Sequence, residues 1–457
     1  MRISLIKPCW SFPIGRSESI YNRIWPPLSL INCAALLRKS GHDPLIIDAA
    51  ARQLSPKEVA KLADGSEMVV VTSTSLDRWQ CPNIDIEPFL SVIAELRSNG
   101  MSPYICGTHG TVRPQEILEL SKAHGVIRGE PEEVLVNLAK SGSPAGVKGM
   151  TYLKDGEIIH EPPCQGVVLT DLPLPAFDLL DFSKYSYEVL GKNFALIETS
   201  RGCPYGCTFC VKATYGPDCR YKNPDQVIRE IDDLLSRGVK SAYFFDLEFT
   251  LNRKMVEAIC THLKSLGSPW DWCCQTRADA VDEPLLNNMK EAGCRIVHFG
   301  VETGSKRLAD TLGKNVSFQE IRHGVKLTQR AGIESVCFFM FGLPTETEKE
   351  ALETIRFARE LSPTYASFHI AQPYPGTMFH DQVKESLGDE LFPEAYTGVI
   401  SKKKLLSLTR RAFLTFYLRP GYLASRLKSR EFGTLFRQAG FFLRYLWHRL
   451  GIFTKDG

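Results

Sequence analysis

Residues 198–210 read Glu198-Thr199-Ser200-Arg201-Gly202-Cys203-Pro204-Tyr205-Gly206-Cys207-Thr208-Phe209-Cys210 and carry three cysteines at the spacing C-x3-C-x2-C. The apolar run 194–197 before them predicts a β-strand, so the cysteines lie in the loop that follows this strand. Thiolates are the usual ligands of iron–sulfur clusters. Three thiolates leave one iron of a four-iron cluster without a protein ligand, and an open coordination position is typical of a catalytic metal. Gly202 and Gly206 allow the loop to turn tightly.

This loop resembles the cysteine motif of the radical S-adenosylmethionine (SAM) enzymes, in which an aromatic residue, here Phe209, precedes the last cysteine. The resemblance implies that Cys203, Cys207 and Cys210 bind a [4Fe–4S] cluster. It also implies that the open iron binds the amino and carboxylate groups of SAM, and that an electron from the cluster cleaves SAM to a 5′-deoxyadenosyl radical. The alternative is a zinc knuckle, which needs a fourth ligand, and Cys219 is a candidate for it.

Composition describes an ordinary globular protein with an uneven charge. The chain has 457 residues and a formal charge of +3, yet residues 401–457 hold 13 Lys and Arg against 2 Asp and Glu. Fourteen cysteines in so long a chain do not indicate a secreted disulfide scaffold. The N-terminus predicts a strand rather than a signal peptide, and no apolar run reaches the length of a membrane span. We expect a reducing cytoplasm.

Residues 1–140 alternate short apolar runs with helical patterns, which predicts a doubly wound, Rossmann-like parallel sheet. The predicted strands are 3–6, 45–48, 68–72, 104–106 and 126–128. Ligands of such sheets bind beyond the carboxyl ends of the strands. These ends include Ser73 to Asp77, Gly107 to Thr111 and Gly129-Glu130.

This half resembles the cobalamin-binding domains that are fused to radical SAM enzymes. The resemblance is carried by Pro26-Pro27-Leu28-Ser29-Leu30, Ile46-Ile47-Asp48, Gly107-Thr108-His109-Gly110-Thr111 and Arg128-Gly129-Glu130-Pro131-Glu132. It implies that cobalamin lies against the strand ends. The residues implied to contact it are Ser73, Thr74, Ser75, Gly107, Thr108, His109, Gly129 and Glu130.

The cobalt ligand departs from a common pattern of these domains. None of the ten histidines lies in an Asp-x-His-x-x-Gly motif, so we expect base-off cobalamin with its lower face on the loop 73–77. His109 is either a cobalt ligand or a loop residue that hydrogen-bonds a cofactor or the backbone. The alternative is a degenerate domain that binds no cobalamin and only shapes the active site.

Residues 141–190 predict a connector with a hairpin around Asp155-Gly156 and a proline-rich strap at 172–178. Residues 191–385 predict six strand–helix units, which indicates a partial (β/α)6 barrel of the TIM type, with its chemistry at the carboxyl ends of the strands. The resemblance implies SAM contacts from residues at these ends, namely Phe209, Asp246, Glu248, Arg277, Glu302 and Gly342. Glu302 and Arg277 could instead form a structural ion pair. A Thr-x-x-Glu pattern predicts a capping box at Thr345 and Glu348.

Residues 386–457 predict a basic, aromatic, helical region, in which 432–450 could form an amphipathic helix. This region either packs on the barrel and covers the substrate or contacts an anionic membrane surface; nothing else supports nucleic-acid binding.

Together the two resemblances predict a cobalamin-dependent radical SAM enzyme, in the first place a class B-type methyltransferase. A small-molecule substrate radical would take a methyl group from methylcobalamin, and a second SAM would restore it. An external donor such as flavodoxin or ferredoxin would supply electrons, and Tyr374 would face the substrate. The alternatives are radical oxidation, cyclisation or ring rearrangement, or a membrane-associated scaffold with a structural cluster.

Overall fold

The computed structural model describes residues 1–10, 24–75, 84–187, 189–267, 270–422 and 424. These residues form two β-sheets, and helices that alternate with the strands along the chain cover the sheets. Both predicted halves of the fold, the doubly wound sheet and the six-unit partial barrel, are confirmed.

The first sheet has seven strands in the order β2-β1-β3-β4-β5-β6-β7. Strands β1 to β5 are parallel, and β6 and β7 extend the sheet as antiparallel strands. The strands are β1 (Arg2–Lys7), β2 (Asp43–Asp48), β3 (Met68–Thr72), β4 (Tyr104–Cys106), β5 (Gly125–Ile127), β6 (Met150–Lys154) and β7 (Glu157–His160). The helices are α1 (Leu28–Lys39), α2 (Ala49–Arg52), α3 (Pro56–Ala63), α4 (Glu87–Ser98), α5 (Thr108–Val112), α6 (Pro114–Ser121) and α7 (Pro131–Ser141).

The first sheet continues beyond the predicted boundary at residue 140. The hairpin that we placed in the connector is present, and its β6 pairs with β5, so residues 150–160 belong to the sheet. Asp155 and Gly156 both have positive φ, as a tight hairpin turn requires. Strand order around β1 reverses between β2 and β3, and this reversal is where ligands bind in doubly wound sheets.

The second sheet has six parallel strands in the order β10-β13-β14-β15-β16-β17. Two short pairs precede or flank it, β8 (Ser186–Tyr187) with β9 (Gly191–Lys192) and β11 (Ser200–Arg201) with β12 (Arg220–Tyr221). The barrel strands are β10 (Phe194–Ile197), β13 (Ser241–Phe244), β14 (Asp271–Gln275), β15 (Cys294–Glu302), β16 (Glu334–Phe341) and β17 (Tyr365–Ile370). The helices are α8 (Pro224–Ser236), α9 (Arg253–Ser265), α10 (Glu283–Glu291), α11 (Lys306–Thr311), α12 (Phe318–Arg330), α13 (Glu348–Leu361), α14 (Met378–Val383) and α15 (Lys402–Tyr417).

The predicted capping box of α13 is wrong by two residues. The side chain of Thr347 accepts from the Glu350 amide, and the Glu350 carboxylate accepts from the Thr347 amide. Thr345 has φ +62 and so cannot serve as the extended N-cap residue. Both threonines are followed three residues later by a glutamate, and backbone geometry decides between them.

One hydrophobic core joins the two halves of the molecule. Residues of α1 and α7 pack in the same cluster as Phe194 and Leu196 of β10. The proline-rich strap runs beside α1, where the Ala176 amide donates to the Ile31 carbonyl and Arg38 binds Asp178 through two hydrogen bonds. The connector therefore fastens the barrel to the first sheet on the face that α1 covers.

Helix α15 covers the last barrel strand. The Tyr417 hydroxyl accepts from the Ala366 amide at 3.1 Å and donates to the Ala366 carbonyl at 2.8 Å. Both groups belong to the outer edge of β17, which would otherwise be open to pairing with another strand. This part of the basic region packs on the barrel, whereas the amphipathic helix predicted at 432–450 lies outside the described residues. No helix in the described ranges has the length and apolarity of a membrane span.

Candidate active site

The cysteine loop connects β11 to β12, which pair with each other as antiparallel strands. Ser200 pairs with Tyr221 and Arg201 with Arg220, so residues 202–219 begin and end at the same point. Gly202 has φ +84, and a Cβ atom there would collide with the Asp218 carbonyl. The Cys219 thiol donates weakly to the Gly202 carbonyl at 3.8 Å, across the base of the loop.

The loop rests on the turn after α11. The Thr208 amide donates to the Leu312 carbonyl at 3.0 Å, and the Phe379 amide donates to the Thr208 carbonyl at 2.9 Å. A Cβ atom on Gly313 would lie 2.5 Å from the Gly206 carbonyl oxygen. Phe209 packs against Leu312 and Phe379 in a small apolar cluster. The cysteines are therefore held at the carboxyl ends of the barrel strands, as the sequence predicts.

Burial raises the pKa of two of the cysteine thiols and so disfavours the free thiolate. Burial raises the pKa of Cys203 to about 11 and also raises the pKa of Cys207, while Lys212 and Lys314 act in the opposite direction. A bound metal removes such protons, since thiolate is the ligand.

The donor set fits an open iron–sulfur cluster. Cys203, Cys207 and Cys210 lie on one loop and supply three thiolates, the usual ligands of iron–sulfur clusters. Three thiolates leave one iron of a four-iron cluster without a protein ligand.

Glu302 and Lys314 form a partly buried ion pair next to the cysteines. Lys314 Nζ lies 2.7 Å from Glu302 Oε1 and 2.6 Å from the Gly300 carbonyl, and its charge acts on Cys207. A side chain at Gly300 would collide with both partners. Glu302 has φ +71, a strained conformation for a non-glycine residue and one that clusters at functional sites. Lys314 could not be predicted from the sequence, because nothing in the spacing between residues 302 and 314 reveals that the chain returns to Glu302.

Arg277 is bound to partners other than Glu302. Its Nε and Nη2 donate to Asp279 at 2.9 and 2.8 Å, and Nη1 donates to the Lys314 carbonyl at 2.6 Å. The guanidinium lies over the ring of Tyr205, 3.8 Å from its centroid. The structural ion pair considered between Arg277 and Glu302 is therefore not formed. Arg277 contacts the cysteine loop, and its predicted contact with the methionine carboxylate stays a prediction.

The two acidic residues after β13 have different surroundings. Asp246 is buried and accepts from the Thr199 amide at 3.0 Å, from the Thr199 hydroxyl at 2.9 Å and from the Ser200 hydroxyl at 2.5 Å. It thus fixes the strand end that leads into the cysteine loop. Glu248 is partly exposed, and desolvation raises its pKa to about 7 against the positive charges of Lys314 and Arg277. Glu248 is the better placed of the two to receive an ammonium group.

Gly342 lies in a turn that a buried carboxylate holds. The amides of Gly342 and Leu343 donate to Glu346 Oε2 at 2.5 and 3.1 Å. Gly342 has φ +88 and directly follows β16, and its predicted cofactor contact stays a prediction. Glu346 was assigned no role from the sequence.

Small polar residues gather at the ends of β3 and β4. Ser73, Thr74 and Thr108 are buried, and Ser75 is half-buried. Gly107 has φ +107, and a Cβ atom there would lie 2.8 Å from Ser73 Oγ and 3.1 Å from Thr74 Oγ1. Ser73 Oγ has no hydrogen-bond partner among the described residues. A buried polar cradle kept open by glycine fits a polar cofactor edge at the position expected for cobalamin. Leu76 and Asp77 of the predicted cobalt-facing loop lie outside the described residues.

The remaining predicted cobalamin residues contact other parts of the chain. His109 Nε2 and the Tyr374 hydroxyl lie 2.9 Å apart, and both residues are buried. The Gly129 amide donates to Thr111 Oγ1 at 3.0 Å. Glu130 binds Arg201 at 2.6 Å and also Arg220. His109 is thus a hydrogen-bonded residue at the boundary between the halves; its predicted cofactor contact, that of Glu130 and the substrate contact of Tyr374 stay predictions.

Comparison with known proteins identifies the family. Residues 197–358 match the family model of the Radical SAM superfamily. The chain is 31% identical over 442 residues to an uncharacterized methyltransferase of Pyrococcus horikoshii, with 93% of this chain and 94% of the relative covered. The chain belongs to the radical SAM superfamily. This membership favours an enzyme over the scaffold alternative.

Two further matches concern the reaction and the fold of this radical SAM enzyme. It is 29% identical to the anaerobic magnesium-protoporphyrin IX monomethyl ester cyclase of Cereibacter sphaeroides, over 100% of this chain and 75% of the relative. Its fold matches that of the cobalamin-dependent SAM radical enzyme OxsB, solved with aqua-cobalamin and SAM bound, with a TM-score of 0.74 at 18% identity over 98% of this chain and 72% of OxsB.

Proposed function

We propose that this radical SAM enzyme uses a [4Fe–4S] cluster, SAM and cobalamin to transfer a methyl group to an unactivated centre of a small molecule. The observation that carries the proposal is the position of the cysteine loop between the two sheets. Thr214 Oγ1 in this loop lies 3.5 Å from Thr108 Oγ1 at the end of β4. Val211 packs in the core of the first domain together with Trp10 and Tyr374. Two cofactor platforms thus face each other across one loop.

Each cofactor brings chemistry that side chains lack. When bound, the cluster would supply an electron for the reductive cleavage of SAM, and cobalamin would supply the methyl group. Cys203, Cys207 and Cys210 would hold the cluster, and Glu248 and the Gly342 turn would orient SAM. The polar cradle of Ser73, Thr74, Gly107 and Thr108 would hold the edge of cobalamin.

The cluster assignment is tested by one pair of cysteine variants. In Cys207→Ala a ligand is lost, so we expect 5′-deoxyadenosine formation by the anaerobically reduced protein to fall to background. Cys219→Ala removes a thiol from the same loop without removing a ligand, and it should keep iron and turnover. Deoxyadenosine formation by Cys207→Ala at the wild-type rate would contradict the radical mechanism, and equal loss in both variants would indicate a folding effect.

A cyclisation or another oxidation is the second candidate, because one relative that aligns along the whole chain is named a cyclase. The two candidates differ in their use of SAM. Methyl transfer needs a second SAM to remethylate reduced cobalamin, and this step releases S-adenosylhomocysteine. An oxidation uses SAM only to form the radical and releases no S-adenosylhomocysteine. We expect reduced, cobalamin-loaded enzyme to form S-adenosylhomocysteine from SAM even without substrate. Deoxyadenosine without S-adenosylhomocysteine would favour the oxidation.

A further inference from the structure

Two arginines lie opposite each other at the stem of the cysteine loop. Arg201 of β11 and Arg220 of β12 are direct partners in the antiparallel register. Like charges at such positions repel each other and destabilise the pairing. The stem therefore needs a negative charge between the two guanidinium groups.

Glu130 provides this charge from the other half of the molecule. Its Oε2 lies 2.6 Å from Arg201 Nη1, and its Oε1 contacts Arg220 Nη2. Glu130 stands between β5 and α7 of the first domain, 71 residues before Arg201. One carboxylate thus bridges both strands of the stem and joins them to the first domain.

The bridge belongs to a larger buried ionic cluster. Arg201 Nη2 lies 2.6 Å from Glu132 Oε1 and 3.0 Å from Glu198 Oε1, and the side chains of Arg201, Glu132 and Glu198 are at most 1% exposed. Asn32 of α1 donates to Glu198 at 2.9 Å. Charged groups that are buried so fully are stable only while their partners stay in place.

The connector closes over this cluster. The Val167 amide donates to Glu130 Oε2 at 3.2 Å, and Arg220 Nη1 donates to the Val167 carbonyl at 2.8 Å. A side chain at Gly166 would collide with both Glu130 and Arg220. Both carboxylate oxygens of Glu130 are therefore in use inside a covered site.

We propose that Glu130 is a positioning residue that clamps the stem of the cysteine loop to the first domain and so sets the separation of the cluster and the corrinoid. The role of the clamp rests on the proposed function, but the clamp itself does not. Arg201 is two residues from Cys203, so a displacement of the stem reaches the first cluster ligand directly. A cofactor contact would need Glu130 to leave both arginines.

Amide hydrogen exchange tests the clamp in the full chain. Glu130→Gln keeps the side-chain shape but removes the one carboxylate that Arg201 and Arg220 share and leaves Arg220 without its ion pair. We therefore expect exchange in residues 200–222 to accelerate on the order of tenfold or more. Arg220→Lys is a milder variant that keeps the charge but loses the fork-shaped contact, and it should show a smaller effect in the same segment. The matched control is Glu350→Gln, which removes the charge of a carboxylate that Arg307 and Ser305 bind in the first turn of α13. It should leave residues 200–222 protected.

A second readout measures the separation of the cofactors. In the wild type loaded with cluster and cob(II)alamin, the reduced cluster should speed the spin relaxation of the corrinoid in electron paramagnetic resonance. Glu130→Gln should weaken or spread this interaction at equal cofactor content, which a merely stabilising residue would not do. Unchanged exchange in both Glu130→Gln and Arg220→Lys would overturn the clamp. A wild type that takes up no corrinoid would contradict the proposed function, and the exchange experiment would still decide on the clamp.

Discussion

At the scale of single residues, removal from water shifts the pKa of two glutamate side chains near the site. Glu248 and Glu346 both have a pKa raised to about 7 by desolvation. Glu248 is partly exposed, so a ligand can reach its carboxylate. Glu346 is fully buried and holds the Gly342 turn through two backbone amides.

The burial of Glu346 predicts a dependence of stability on pH. The folded pKa of about 7 lies above the ordinary glutamate value of 4.5, so the native state binds the proton more tightly. Stability from this group is complete below the unfolded pKa and is lost as pH rises through the folded pKa. Glu346→Gln should match the wild type in thermal unfolding at pH 4 and exceed it at pH 9, by at most about 3 kcal/mol. Identical differences in melting temperature at both pH values would contradict this assignment.

The sequence reveals residues that act through local spacing and hides those that act through distant partners. The three cysteines and the strand before them follow from a short motif. Lys314, Arg201 and Glu346 carry no such signal, because each gains its role from a group that only folding brings near. For Glu130 and Arg201 this separation is 71 residues.

At the scale of elements, the turn after α11 supports the cysteine loop. Gly313 has φ +67, and a Cβ atom there would press on the Gly206 carbonyl at 2.5 Å. Gly313→Ala therefore combines backbone strain with a displacement of the loop. We expect reconstituted iron content to fall, along with a loss of about 1–3 kcal/mol in stability.

Gly332→Ala is a control that separates strain from displacement. Gly332 has φ +73, but the nearest atom to a Cβ there is Lys290 Cε at 3.6 Å, the end of a flexible side chain. This variant should lose stability and keep its iron. If both variants bind iron at the wild-type level, the turn does not support the loop.

Periodicity predicts the elements well and their pairing less well. The five parallel strands of the first sheet lie close to their predicted positions, and the barrel has the predicted six strands. The attachment of β6 to β5 was missed, because alternation within a hairpin does not reveal which strand it joins. The capping box of α13 was misplaced, since two Thr-x-x-Glu patterns overlap and only the backbone selects Thr347.

At the scale of the whole molecule, the two halves meet at several buried contacts. His109 and Tyr374 form one of them, with Phe392 packed against the imidazole at 4.7 Å between ring centroids. The order of the two folds could be predicted from the sequence. Their contacts could not, because each depends on side chains from both halves.

The contact predicts the behaviour of Tyr374→Phe. Loss of a buried hydrogen bond between the halves should lower stability by about 1–2 kcal/mol, with iron content unchanged. Denaturant unfolding measures this change. A variant with wild-type stability but an altered KM for the substrate would instead assign Tyr374 to substrate binding.

Two facing platforms on one chain should bind a cluster and a corrinoid together. Anaerobic reconstitution with iron, sulfide and hydroxocobalamin, followed by analysis of metal and corrinoid and incubation of the reduced protein with SAM, tests this. We expect about four irons and one corrinoid per chain, with formation of 5′-deoxyadenosine. Four irons and deoxyadenosine without corrinoid would contradict the role of the first domain and the methyl transfer, and a protein without iron would contradict the radical chemistry as well.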